Sequence, residues 1–131
     1  MKALVATAVG TYEVDLETGE VEPSDLEGVE TPGVATGLPR VVAAAASGST
    51  VVALVDAKPP LLVSHDAGRT WRESGRGLPT GFAVAVAGED PDLLLFAART
   101  RLYLSGDGGR FWRALGVELP EIQAVAFADQ R

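Results

Sequence analysis

A spacing of 41 residues constrains this chain more than anything else in it. Ser64-His-Asp66-Ala-Gly68-Arg-Thr70-Trp71-Arg72 is answered by Ser105-Gly-Asp107-Gly-Gly109-Arg-Phe111-Trp112-Arg113. Leu-Pro pairs at Leu38-Pro39, Leu78-Pro79 and Leu119-Pro120 recur at nearly the same step. Between each Leu-Pro and each Ser-x-Asp lie short apolar runs: Val41–Ala46, Thr50–Val55 and Leu61–Val63 in one copy, Phe82–Ala87, Leu93–Ala98 and Leu102–Leu104 in the next. A more polar stretch starts at each Trp. Four strands of about five residues, punctuated by Gly and Pro, fit one propeller blade in such a period. The alanine-rich Val42–Ala46 has helix propensity but ends at Ser47-Gly48-Ser49 and runs straight into Val51, Val52 and Val55, so a strand is expected there.

The pattern Ser-x-Asp-x-Gly-x-Thr-Trp resembles the Asp-box of the BNR repeat, found in sialidases, sortilin-type receptors and photosystem-assembly-factor-like propellers. The first copy matches at Ser64, Asp66, Gly68, Thr70 and Trp71. The second, Ser105, Asp107, Gly109 and Trp112, departs where Phe111 replaces Thr. The resemblance covers residues 37–117 and implies a blade. Its residues have a local physical role: Ser and Asp can bond the backbone of a tight turn, Gly supplies positive φ, and Trp buries a large ring between blades. A turn staple is therefore expected, not a catalytic or calcium-binding carboxylate.

The termini complete the repeat. Glu121–Ala128 reads as a first strand with nothing after it, and Lys2–Ala8 as a second strand with nothing before it. Thr11–Asp15 follows as a third, and Asp15-Leu-Glu17-Thr-Gly19-Glu-Val21 imitates the Asp-box with acids. The expectation is an all-β propeller chain of three four-stranded blades forming one domain, 1–131. One blade is split into pieces 2–22 and 119–131, an insertion occupies 23–36, and whole blades occupy 37–76 and 77–118. The starting Met and the self-complementary split argue against a fragment of a longer propeller. Three blades cannot close a ring, whereas two chains give six. The expected assembly is a C2 homodimer in which each C-terminal strand completes the partner's N-terminal blade.

Composition narrows the function. Eighteen acids against eleven bases give a net charge of −7, which disfavours nucleic acid. There is no Cys and one His, so neither a thiolate nor a His-rich metal site is expected, and no cofactor. No apolar run is long enough for a membrane span, and the opening is too short for a secretory leader, so a cytoplasmic protein is expected. The absence of Asn and Cys and nine Arg against two Lys suggest heat stability.

The ligand face of a propeller is built from its second-to-third and fourth-to-first strand connections. That selects Asp56, Lys58, Arg99 and Arg101. It also selects the acidic insertion with Asp25, Glu27 and Glu30, because a loop longer than its repeat equivalents is where function tends to sit. The expected function is a non-enzymatic binding or scaffold module recognising a protein or small ligand at the channel face. The alternative, suggested by the resemblance alone, is a carbohydrate-active protein, lectin-like or sialidase-like. An arginine triad with a tyrosine nucleophile is not reproduced, because Arg99 and Arg101 share one loop and Tyr12 and Tyr103 occupy strand positions.

Overall fold

The computed structural model describes residues 1–24 and 36–128. Among these, all regular structure is strand: β1 Lys2–Thr7, β2 Gly10–Asp15, β3 Val21–Pro23, β4 Val41–Ser47, β5 Thr50–Val55 and β6 Leu61–Ser64, then β7 Arg72–Ser74, β8 Ala83–Val86, β9 Leu94–Ala97, β10 Arg101–Ser105, β11 Arg113–Glu118 and β12 Ile122–Phe127. Among the described residues, no helix is long and apolar enough to cross a membrane.

The strands form three four-stranded sheets, β4-β5-β6-β7, β8-β9-β10-β11 and β12-β1-β2-β3. All pairings among the described strands are antiparallel; β1 and β12 alternate between more and less buried side chains, whereas β5, β8 and β9 are buried on both faces. Ala3, Val5 and Thr7 of β1 are buried, while Leu4 and Ala6 between them are half-buried. We call the sheets blade B (β4–β7), blade C (β8–β11) and blade A (β12 with β1–β3). Their first strands adjoin, β4 beside β8 and β8 beside β12, so C stands between B and A.

One core lies between C and A and holds Val5, Val14, Leu95, Leu102, Ile122 and Phe127. The other, between B and C, holds Val52, Leu54, Leu61, Val63, Leu94 and Phe96. The Phe96 ring meets Tyr103 edge-on with centroids 5.8 Å apart and Trp112 at 6.2 Å, the arrangement the ring quadrupoles favour. Gly81 is needed where B meets C. A Cβ there would stand 2.7 Å from Leu54 Cδ1 and 2.7 Å from Phe96 Cζ.

The split blade exists, and in the single chain its two pieces meet. β12 pairs with β1 of the same chain, with Ala3 opposite Phe127, Leu4 opposite Ala126, Val5 opposite Val125 and Ala6 opposite Ala124. The reason lies in the links. A short stretch from Glu118 to Ile122 ties β12 to blade C, so the blade that β12 completes sits beside C. The chain from Glu22 to Leu38 can reach roughly 50 Å when extended, ample for joining the two end blades without a partner. Closing such a loop costs only slowly growing entropy and needs no second molecule. Among the described residues, blades A and B share no core. Pro23 belongs to β3, so the connection between them starts at Ser24.

Candidate functional site

The Asp-box turns stand at one end of the sheets. Ser64 Oγ donates to Asp66 Oδ1 at 2.8 Å and accepts from the Gly68 amide at 2.8 Å. Asp66 Oδ1 then accepts from the Thr70 amide at 2.8 Å, and Oδ2 from the Thr70 hydroxyl at 2.6 Å. These donors hold the Asp66 carboxyl down from 3.8 to about 2, the Thr70 hydroxyl contributing most. The second turn repeats the arrangement. Ser105 Oγ donates to Asp107 Oδ1 at 2.8 Å and accepts from Gly109 N at 2.9 Å. Asp107 Oδ1 accepts from the amides of Arg110 and Phe111 at 3.1 and 3.0 Å, and its pKa is lowered mainly by the Phe111 amide. Both carboxylates are occupied in stapling their turns.

Blade A has a different turn. Asp15 Oδ1 accepts from Glu17 N at 2.9 Å and Thr18 N at 3.1 Å, which lowers its pKa. Tyr12 pairs with Pro23, eleven positions on, whereas Leu61 pairs with Ser74, thirteen positions on. The acidic imitation of the motif is therefore a hairpin two residues shorter, an Asx turn.

Of the two Trp residues, Trp112 packs against the core between B and C. Trp71 is half-buried and belongs to neither core. By the repeat, Trp71 sits on the flank of B remote from C.

The expected ligand-side connections do share the other end. The Leu119 amide bonds Thr100 O at 2.8 Å, Ile122 N bonds Arg99 O at 2.8 Å, Ala8 N bonds Glu121 O at 2.9 Å and Asp56 N bonds Arg40 O at 3.0 Å. Arg40 is held at φ 60, a backbone conformation that side chains other than Gly rarely adopt. Asp56 and Lys58 come together at the lip of a cavity of about 170 Å³, which Val42, Val55, Pro60 and Leu78 to Gly81 complete. Residues 78–81 belong to the link between blades B and C. Sequence reading missed them because Leu78-Pro79 served as a repeat marker; the tight Gly81 after that Pro is the signal that was there.

Arg99 and Arg101 do not line that cavity. Arg99 lies 3.7 Å from Glu121 in an exposed ion pair, and Arg101, exposed, opens β10 opposite Glu118. Asp25, Glu27 and Glu30 lie outside the described residues. On the outward face of blade A, Lys2 Nζ lies 3.1 Å from Glu13 Oε1, and that contact raises the Lys2 pKa. Glu13, Asp15, Glu20 and Glu22 surround Lys2. Among the described residues, no group of three His, Cys, Asp or Glu side chains could hold a metal ion.

No protein-family model and no curated protein matches this chain. Two solved structures are similar to it. One is YCF48 bound to D1 peptide, with a TM-score of 0.50 and 19% identity, covering 86% of this chain and 35% of that one. The other is the GH74 enzyme of Niastella koreensis, with a TM-score of 0.49 and 22% identity, covering 91% of this chain and 18% of that one. The chain thus spans about a third of the first and under a fifth of the second. Three four-stranded antiparallel sheets side by side, matched on the first of these, make the fold that of β-propeller blades.

Proposed function

We propose that this chain is a non-enzymatic binding module that works as a pair of three-bladed arcs, six blades in all. The ligand, a protein segment or small molecule, sits at the end of the sheets where Asp56 and Lys58 stand. The observation that carries the reading is the unequal treatment of the blade faces. Blade C is covered on both sides, whereas blade A turns Leu4, Ala6, Ala124 and Ala126 outward, all half-buried. Small apolar residues beside the first strand are what a neighbouring blade packs against, and an uncovered blade face is a liability. Pairing A of one copy with B of another would give a closed ring without exchanging any strand. The cavity shape and the cation–carboxylate pair at its lip support recognition there. YCF48, seen with a D1 peptide, supports a protein segment as the ligand.

Light scattering after size exclusion tests the pairing, with twice 13.6 kDa expected. Leu4→Glu should halve that mass while keeping the strand signal in circular dichroism. A folded wild-type monomer would overturn it. For the site, amide shift mapping against a panel of peptides and oligosaccharides should perturb residues 56–60 and 78–81. Hydrolysis of a glycoside from the panel would replace the binding reading with an enzymatic one.

A further inference from the structure

A second surface, which meets the loop-end cavity at Lys58, Pro60, Leu78 and Pro79 and runs away from it, has its own chemistry. Blades B and C diverge toward their outermost strands, β7 and β11, and an open trough runs between them. Its two connected parts measure about 510 and 850 Å³ and share Glu73, Arg76, Gly77, Leu78 and Tyr103.

Three arginines line it: Arg72, Arg76 and Arg110. Arg72 is partly engaged, donating to Gly108 O at 2.9 Å. Arg76 and Arg110 are exposed, and neither forms an ion pair among the described residues. The one carboxylate among the lining residues is Glu73, so the trough is cationic in a protein of net charge −7.

Three aromatic side chains lie among these cations: Tyr103, Phe111 and Trp112. Phe111 is the informative one. It occupies the motif's Thr position, yet the Asp107 staple uses only its backbone amide, and the ring is 79% exposed. The turn gives no reason for a phenyl group there. A solvent-facing aromatic beside unpaired guanidinium groups is the composition of a recognition surface.

We infer that the trough between β7 and β11 binds an extended acidic peptide segment, its carboxylates on Arg76 and Arg110 and an apolar side chain against Phe111 and Trp112. Alternate side chains of an extended strand point to opposite sides, which suits a trough with cations and aromatic rings on its walls. β7 is an outermost strand, so its free edge offers main-chain groups to such a segment. A long nucleic acid is the poorer fit, because the carboxylates of blade A would repel a polyanion extending past the trough.

The test is fluorescence anisotropy with a labelled heptapeptide alternating Glu and Val, using the Lys–Val heptapeptide, inorganic phosphate and a dT oligonucleotide as competitors. Saturable binding of the acidic peptide is expected, weakening as salt rises toward about 0.15 M. Arg76→Glu and Arg110→Glu should each weaken it about tenfold, and Phe111→Thr several-fold, with melting temperatures near wild type. Loss of binding with Thr80→Glu, which lies in the loop-end cavity and outside the trough, but not with Arg110→Glu would place the peptide at the loop end and overturn the inference. Absence of saturable binding, or competition by dT as strong as by the acidic peptide, would overturn it also.

Discussion

The indole Nε1 of Trp112 donates to Ser74 Oγ at 3.2 Å, joining the Asp-box turn of blade C to the last strand of blade B. The Ser74 hydroxyl in turn donates to Gly109 O, and Trp112 Nε1 also reaches that carbonyl at 3.2 Å. A Cβ on Gly109, itself at φ 90, would stand 2.9 Å from Ser74 Oγ. The repeat motif therefore does more than shape its own turn: it presents a carbonyl and an indole to the preceding blade. Ser74 is buried, and Ser74→Ala removes a hydroxyl that bridges the Gly109 carbonyl and the Trp112 indole, which keep each other as partners, so it should cost about 0.5–1.5 kcal/mol. Urea unfolding of Ser74→Ala, Trp112→Phe and the double variant checks it. If the two act through one contact, the double variant should lose less than the sum.

The two staples should respond differently to acid. The folded-state pKa of Asp66 lies at about 2, below its ordinary 3.8, and that of Asp107 is lowered too. A lowered carboxyl pKa means the folded state holds the charged form more tightly. Its contribution is complete above about pH 4 and is lost as pH falls toward 2. Acid unfolding should therefore begin below pH 4, and carboxyl-detected NMR should show Asp66 titrating last. Phe111→Thr should supply the hydroxyl that Asp107 lacks and bring its titration down to that of Asp66.

The repeat itself revealed the blades, because the short apolar runs of β5, β6, β9 and β10 and the turn chemistry of Ser64, Asp66 and Gly68 are local properties. The split blade was readable for the same reason: Ile122 to Phe127 lacks only a partner strand, and Lys2 to Thr7 lacks one too. Which copy of β1 takes β12 was not readable, since an antiparallel ladder is identical within a chain and between chains. The short link before Ile122 places β12 beside blade C whichever β1 it takes, so a cross-link between the two strands has to decide the copy. The cavity at Asp56 and Lys58 was half readable. The loop was singled out, but Gly81 and Pro79 reach it from another blade, a long-range relationship that spacing does not encode. Loop position alone selects Arg99, whereas its contact with Glu121 lies on a neighbouring link.

Gly81 gives a direct test of the packing between blades. Gly81→Ala pushes a methyl group into Leu54 and Phe96, both buried, where rigid neighbours resist displacement. Overpacking of this kind should cost about 1–3 kcal/mol. Differential scanning calorimetry should show a lower melting temperature, whereas Gly116→Ala, with nothing within 4 Å of its Cβ, should change it little.

The closure of blade A within one chain can be read covalently. Leu4 and Ala126 face each other across β1 and β12, and the protein contains no cysteine of its own. A Leu4→Cys, Ala126→Cys variant should form a disulfide between directly paired strand positions, provided the side chains meet disulfide geometry. Oxidised protein should run as a single chain on a denaturing gel without reductant, and it should unfold at higher urea than its reduced form because the loop is closed. If β12 instead crossed to a second copy, the same oxidation would yield covalent dimers at every protein concentration. Each single-cysteine variant is the control, because random collision would link those as well. A monomeric disulfide in a protein whose native mass is twice 13.6 kDa would separate the two questions. The blade would close in cis while the ring closes in trans, through the outward face that carries Leu4, Ala6, Ala124 and Ala126.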